Sequence, residues 1–243
     1  MSRYAILSDI HGNDHALKMI VEDMKRQEIS AVILLGDLID YGMRSNQVVY
    51  YIEHEIPYKI ICSLWGNHEN AIMTEDFSRF SSQRGVESAK YTMKVLSVDT
   101  KKFIQDRCNS TGMEVFELDG KRCLAVHGSL EDYFWKGILP NDVRGDYSGY
   151  DIVFSGHTHY SHFFHKFYDS PDTSMRNQKA VYFLNPGSVG QPRNHNPLAQ
   201  YAVLDTETLC VDMRAVRYDI KAVQSLYSDV VSEFYKNRLE KGV

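Results

Sequence analysis

The sequence lacks what would suit a polyanion, a membrane or an oxidising compartment. Its formal net charge is −5, so there is no basic excess of the kind that phosphate-backbone binding draws on, which argues against long nucleic acids as partners. No apolar run approaches the length of a membrane span. Met1-Ser2-Arg3 leads directly into an apolar run of strand length, without the longer apolar segment and small-residue cleavage site of a secretory signal. Cys62, Cys108, Cys123 and Cys210 are far apart and include no CxxC pair, which fits reduced thiols packed as small hydrophobes. These absences together imply a cytoplasmic protein. Repeats, low-complexity segments and linkers are also missing, so the chain of 243 residues reads as a single domain over 1–243.

What is present is ordinary globular composition, with 43% hydrophobic and 24% charged residues. Tyr4 to Leu7, Ala31 to Leu35, Tyr58 to Ile61, Cys123 to Val126 and Ile152 to Phe154 are short apolar runs of the buried-strand type. Between the first two, Asn13 or Asp14 can cap a helix that sets Leu17, Ile20, Val21 and Met24 on one face. Val48, Val49 and Ile52 repeat the arrangement, so two β-α-β units are expected. From Gly85 to Cys108 the sequence reads as mostly helical. Beyond it, Asp119-Gly120 between two apolar runs signals a hairpin and a change to antiparallel strands. Further strands are expected at His162 to Phe167, Ala180 to Leu184, Gln200 to Leu204 and Leu209 to Val216, then an amphipathic helix from about Asp219 to Leu239. Early helices and late paired strands suggest layered α/β structure with two sheets face to face and helices outside.

Each of the first apolar runs is followed by a polar motif. Ser8-Asp9-Ile10-His11-Gly12-Asn13 sets Asp9 and His11 two residues apart, an offset that turns both to one side at a strand end. Gly36-Asp37-Leu38-Ile39-Asp40 offers a carboxylate whose two oxygens suit bridging a pair of ions. Gly66-Asn67-His68-Glu69 places an amide oxygen beside a histidine free for proton chemistry. His127-Gly128 follows another strand, and Gly156-His157-Thr158-His159 again pairs side chains at an offset of two. A lone Asp after a strand is usually a helix cap and a lone His an ordinary hydrogen-bonded residue. Five strand ends that all deliver Asp, Asn or His near Gly are poorly explained by chance, because strand carboxyl ends of open α/β sheets gather at one edge.

In order and complete, these motifs resemble the calcineurin-like metallophosphoesterases, with their pattern D-x-H, GD, GNH-[ED], H and GH-x-H, over roughly Arg3 to Arg217. The resemblance extends to the smaller bacterial and archaeal branch related to diadenosine tetraphosphatases, through the NPGSV-type run Asn185 to Arg193. It implies a four-layer αββα sandwich with two mixed β-sheets. It further implies two divalent metal ions, Mn²⁺ by family habit, with Fe, Zn, Ni or Co as alternatives. One ion would be held by Asp9, His11, Asp37 and His159, the other by Asp37, Asn67, His127 and His157. A water between ions about 3.5–4 Å apart becomes hydroxide near neutral pH and serves as nucleophile. His68 is then the expected general acid or transition-state stabiliser, oriented by Asp40, with Asp40 as a plain turn residue the competing reading. Arg193, and also Arg44, are expected either to contact a substrate phosphate or to be solvated surface. The segment from Asn70 to Gly112, with Phe77, Phe80 and Tyr91, would either overhang the site or serve as a packed helical connection.

The expected activity is hydrolysis of phosphate esters or anhydrides on a small phosphorylated substrate, with dinucleoside polyphosphates first among nucleotides. Phosphodiesters and protein Ser/Thr phosphatase substrates are the alternatives, and a non-catalytic scaffold is the rival from another class. Protein phosphatase is disfavoured because that branch continues as Asp-Arg-Gly, where this chain has Asp40-Tyr41-Gly42. Oligomeric state is not legible.

Overall fold

The first strand shows how the layers arise. In β1 (Arg3–Leu7), Tyr4 and Ile6 face one way and Ala5 and Leu7 the other, and all four are buried, because successive strand side chains point to opposite faces. Ala5 and Leu7 pack on α1 (Asp14–Met24) and α2 (Ser45–His54) through Leu17, Ile20, Val48 and Ile52. Tyr4 and Ile6 look inward to a second sheet. The computed structural model describes residues 2–243.

The first sheet continues with β2 (Ala31–Leu34) and β3 (Lys59–Ser63), parallel to β1 through the two β-α-β units. Helices α3 (Asn67–Thr74), α4 (Gln83–Val95) and α5 (Val98–Arg107) follow. A hairpin of β4 (Met113–Leu118) and β5 (Lys121–Val126) opens the second sheet, which adds β6 (Ile152–Ser155), β7 (His162–Asp169) and β8 (Gln178–Asn185). Asp119 and Gly120 at the hairpin tip both have positive φ, 47° and 76°, as a primed turn requires. The chain then returns to the first sheet with β9 (Ala199–Asp205) and β10 (Val211–Val216), and ends in α6 (Ile220–Ser225) and α7 (Glu233–Asn237).

The sheet orders are β10-β9-β1-β2-β3 and β4-β5-β6-β8-β7, both mixed. The second sheet is less antiparallel than the hairpin signal implied, since β5, β6 and β8 run parallel and only its edge strands oppose them. Between the sheets lie Ile6, Ile33, Leu64, Cys123, Ala125, Phe154 and Leu184. The outer face of the second sheet packs Leu124, Val153 and Phe183 on Ile138 and Tyr147 of the segment after β5.

Two expectations need correcting. The single terminal helix is two short ones, because Ser232 caps a new helix by accepting from the Phe234 amide, and the break lets Val231 and Tyr235 pack on Tyr41. Of the cysteines, Cys62, Cys108 and Cys123 are buried thiols, whereas Cys210 is exposed in the turn before β10. Among the described residues no helix is long and apolar enough to cross a membrane.

Phe154 is fully buried between the sheets and stacks parallel to Phe116. Phe154→Ala should cost about 3–5 kcal/mol of stability, read as a lower urea midpoint at unchanged slope. A loss below about 1 kcal/mol would show that the inter-sheet core is not packed as described.

Candidate metal centre

Strands β1, β2, β3, β5 and β6 each run into one of the polar motifs, and backbone hydrogen bonds knit those motifs together. The Asp9 amide donates to Gly36 O at 3.0 Å, the His11 amide to Asp37 O at 2.9 Å and the Gly156 amide to His127 O at 2.9 Å. The paired ligating types do not share a side through strand alternation, as their spacing suggested. β1 ends at Leu7 and β6 at Ser155, and Asp9, His11, Asp37, His157 and His159 all sit in the left-handed region with φ between 47° and 63°. Left-handed backbone, sparsely populated by non-glycine residues, turns these side chains inward.

The structure brings all seven predicted ligand side chains together in two overlapping groups. In the first, donor atoms of Asp9, His11, Asp37 and His159 lie within 4.8 Å of one another and all four residues are buried. His11 Nε2 is 3.3 Å from His159 Nε2 and 3.8 Å from Asp9 Oδ1. In the second, Asn67 Oδ1 is 3.1 Å from His127 Nε2 and 2.9 Å from His157 Nδ1. Asp37 joins them, since its Oδ2 lies 3.6 Å from His11 Nε2 and 3.4 Å from His127 Nε2.

The model of the calcineurin-like phosphoesterase superfamily domain matches residues 3–209. The chain belongs to the calcineurin-like phosphoesterase superfamily. It is 27% identical over 253 residues to an uncharacterized protein of Methanocaldococcus jannaschii, an alignment covering 99% of this chain and 98% of that one. Its fold is shared with a metallophosphoesterase from Sphaerobacter thermophilus (TM-score 0.74, 24% identity, 99% of this chain and 100% of that chain). A hypothetical protein from Pyrococcus horikoshii gives a TM-score of 0.78 at 20% identity, with 100% and 99% covered. Calcineurin-like phosphoesterases are metal-dependent, and the buried donors here suit a cation on their own chemistry.

Three imidazoles have their tautomer set from behind. Nδ1 of His11 meets Ile39 O at 3.2 Å, that of His127 meets Leu35 O at 2.7 Å and that of His159 meets Gln191 O at 2.5 Å. A carbonyl only accepts, so each Nδ1 carries a proton, and in the neutral rings of His11 and His159 Nε2 turns a lone pair on the cluster. Two such lone pairs 3.3 Å apart, beside a sealed Asp9 Oδ1 without a hydrogen-bond partner, call for positive charge between them. Burial opposes ionisation of Asp9 and Asp37, yet His159 and His127 hold Asp9, and His127 and His68 hold Asp37, below the usual carboxylate range. Burial lowers His157 to about 3, with repulsion from His127, and lowers His11 and His159 as well. At His127 burial acts the same way but Asp37 outweighs it and lifts the imidazole to about 9. Asp9 and Asp37 thus offer negative charge to a cation in a pocket where His11, His157 and His159 are neutral, the state in which histidine ligates metal, and His127 would release its proton on ligation.

His68 is placed as its motif suggested. Its Nδ1 lies 2.7 Å from Asp40 Oδ2, and Asp40 Oδ1 accepts from Ser88 and Thr92 of α4, each at 2.7 Å. Asp40 does occupy a turn, with φ of 72°, but its carboxylate is buried against His68. Burial disfavours the charged imidazole of His68, while Asp37 and Asp40 together raise its pKa. His68 and Asp37 line a cleft of about 490 Å³ together with Tyr41, Phe80, Trp135 and Arg193. A larger hollow of about 900 Å³ lies between α2 and α5 and touches none of the predicted ligands. Arg44 is not at the cleft; its Nε pairs with Asp14 at 2.8 Å, so its expected phosphate contact is not supported. The 70–112 segment does both things considered for it: Phe80 sets its ring edge-on to His68 at 5.2 Å, and Ser88 and Thr92 brace Asp40.

Sequence reasoning missed Glu69 and the true work of the run after Asn185. The Glu69 carboxylate is buried and accepts from the amides of Asp37, Leu38, Ile39 and Gly66 at 2.7 to 3.2 Å. Burial and the charge of Asp37 lift its carboxyl to about 7, with the amide donors acting against them. Gly66 is obligatory in this contact, because a Cβ there would stand 2.1 Å from Asp37 Oδ1. Ser188 Oγ donates to Asp9 O at 2.8 Å, and the Gly190 amide donates to the same carbonyl at 3.1 Å. The acidic fourth residue of GNHE was the available signal for Glu69, whereas the Ser188 contact links residues too distant in sequence to be read.

Glu69→Gln replaces an acceptor of four amides by a group with one acceptor oxygen. It should cost about 2–4 kcal/mol, measured by urea denaturation. A loss under about 1 kcal/mol would mean the carboxylate does not clamp the two loops.

Proposed function

We propose that this protein is a dinuclear metal-dependent phosphoesterase that hydrolyses phosphate esters or anhydrides in the cleft above Asp37 and His68. Asp9, His11, Asp37 and His159 would hold one ion and Asp37, Asn67, His127 and His157 the other. The observation that carries this reading is the single oxygen, Asp37 Oδ2, facing both groups at 3.6 and 3.4 Å. Mn²⁺ suits this mixed Asp, Asn and His donor set, as do Fe, Zn, Ni and Co. When bound, a divalent pair supplies charge to neutralise the phosphate and lowers the pKa of the attacking water.

The rest of the chemistry belongs to the chain. His68, with Nδ1 engaged by Asp40, keeps Nε2 for delivering a proton to the departing oxygen, and Asp40 steadies the imidazolium as an orienting carboxylate does. Arg193 lines the cleft and offers its guanidinium to a phosphate oxygen. The substrate is a small phosphorylated molecule. Dinucleoside polyphosphates are the favoured class, because the rings of Tyr41, Phe80 and Trp135 and the cations Lys136 and Arg193 line one cleft, suited to a base and its phosphates. Against protein phosphatase stands Tyr41 in place of that branch's arginine, its ring stacked on Tyr235 at 4.2 Å and edge-on to His68 at 4.4 Å.

Hydrolysis of p-nitrophenyl phosphate, its bis ester and a dinucleoside polyphosphate panel with added Mn²⁺ tests the proposal and sorts monoesterase, diesterase and anhydride hydrolase. Turnover of none of them, with metal bound, would return the protein to a scaffold role. His68→Ala should keep its metal and lose roughly 10²–10⁴-fold in kcat; unchanged turnover sinks the proton-transfer role. For the bridge, elemental analysis of Mn²⁺-loaded protein should find two ions per chain in the wild type and fewer than one in Asp37→Ala. Loss of a single ion in that variant would contradict bridging.

A further inference from the structure

Arg79 and Arg193 line the cleft, and Arg84 and Arg238 lie behind its aromatic wall. Arg79, Arg44 and Arg214 each pair with a carboxylate, of Asp132, Asp14 and Asp23 respectively. Arg84, Arg193 and Arg238 make no ion pair among the described residues. Two of them meet at one ring. The Arg84 guanidinium is 4.1 Å from the centre of the Phe234 ring and that of Arg238 is 5.0 Å from the same ring. Phe234 packs edge-on to Tyr235, and Tyr235 stacks on Tyr41, which lines the cleft beside Arg193. Arg193 Nε is sealed from solvent with no hydrogen-bond partner.

Convergence of like charges is unfavourable unless something offsets it. Arg238 is only 8% exposed, and burial together with repulsion from Arg193 lowers its guanidinium to about 10. The Arg238 Nε is engaged by an oxygen of Val243, the last residue of the sequence, which leaves its terminal nitrogens as the donors available. The segment that supplies Phe234 and Arg238 lies beyond the superfamily match, which ends at residue 209.

We propose that Arg84, Arg193 and Arg238 form a second anion subsite beside the metal centre, built for a phosphate group that the substrate carries in addition to the scissile one. Guanidinium forks bind phosphate oxygens in pairs, and three of them with no aspartate or glutamate partner favour a dianion. The proposal rests on the phosphoesterase reading and narrows its substrate to bisphosphorylated or polyphosphorylated molecules.

The test uses the full-length, Mn²⁺-loaded protein and a series of α,ω-alkanediol bisphosphates with the matching alkyl monophosphates. At the chain length that spans the two sites, kcat/KM for the bisphosphate should exceed that for the monophosphate roughly tenfold or more. Arg238→Gln and the exposed Arg84→Gln should collapse that ratio toward one, and Arg238→Lys should restore part of it. A ratio near one at every length in the wild type, or an unchanged ratio in the Arg84→Gln protein, overturns the proposal. Titration with inorganic phosphate, followed by calorimetry, separates the remaining cases. If no ester is hydrolysed at all, weaker phosphate binding in Arg84→Gln than in wild type upholds the subsite while the hydrolytic reading fails. Phosphate binding that depends on Arg84 beside a bisphosphate preference that does not assigns the arginines to free phosphate and overturns the substrate claim.

Discussion

Everything at this centre depends on keeping the Asp37 carboxylate ionised inside the protein. A buried carboxylate costs several kcal/mol unless it is paired and hydrogen-bonded, and the surroundings of Asp37 meet that cost in layers. Its Oδ1 accepts from the His68 amide, its Oδ2 faces His11 and His127, and its backbone is clamped by Glu69. The clamp is itself a buried carboxyl, lifted to about 7 by burial and the charge of Asp37, and the second ionised group beside Asp37 is Asp9, held by imidazoles. That crowding of negative charge is what makes the pocket receptive to a cation. With two divalent ions in place, as proposed, their charge would outweigh that of Asp9 and Asp37, so a chain with net charge −5 would still attract phosphate locally.

The fold was legible where periodicity is strong. The runs from Tyr4, Ala31 and Cys123 are buried on both faces, and such strands read as continuous apolar stretches. The terminal helix was misjudged because an apolar face at helical spacing does not reveal that Ser232 begins a new helix. The site was legible as a set of residue types, and all seven predicted ligand positions converge. The reason given for their orientation was wrong, because positive φ at Asp9 and His11 is a property of the loop's long-range hydrogen bonds and leaves no local trace. Gln191, Ser188 and Glu69 act by contacts across the fold, which spacing cannot show. Tyr41 is the clearest case: sequence marks it only as a missing arginine, and the structure gives it a ring packed between His68 and Tyr235.

The ring of Tyr41 also marks where the strand-end loops meet the C-terminal helices. The common core supplies the donors from strand ends, and the last two helices lean on that core through Val231 and Tyr235. Gln191, whose carbonyl orients His159, reaches Tyr227 with its side-chain amide at 3.3 Å. The terminal helices therefore touch the mounting of the ligands from two directions, through Tyr41 and through Gln191.

The ligating groups are divided between the two sheets: Asp9, His11, Asp37 and Asn67 follow strands of the first, and His127, His157 and His159 follow strands of the second. A cation held in common would act as a rivet through the face-to-face pair, tying residue 9 to residue 159 across most of the chain. Neither sheet alone offers a full donor set, so high affinity for the ion can arise only after the sheets have docked. Metal uptake would thereby mark the last step of folding, and an immature chain would be inert by construction.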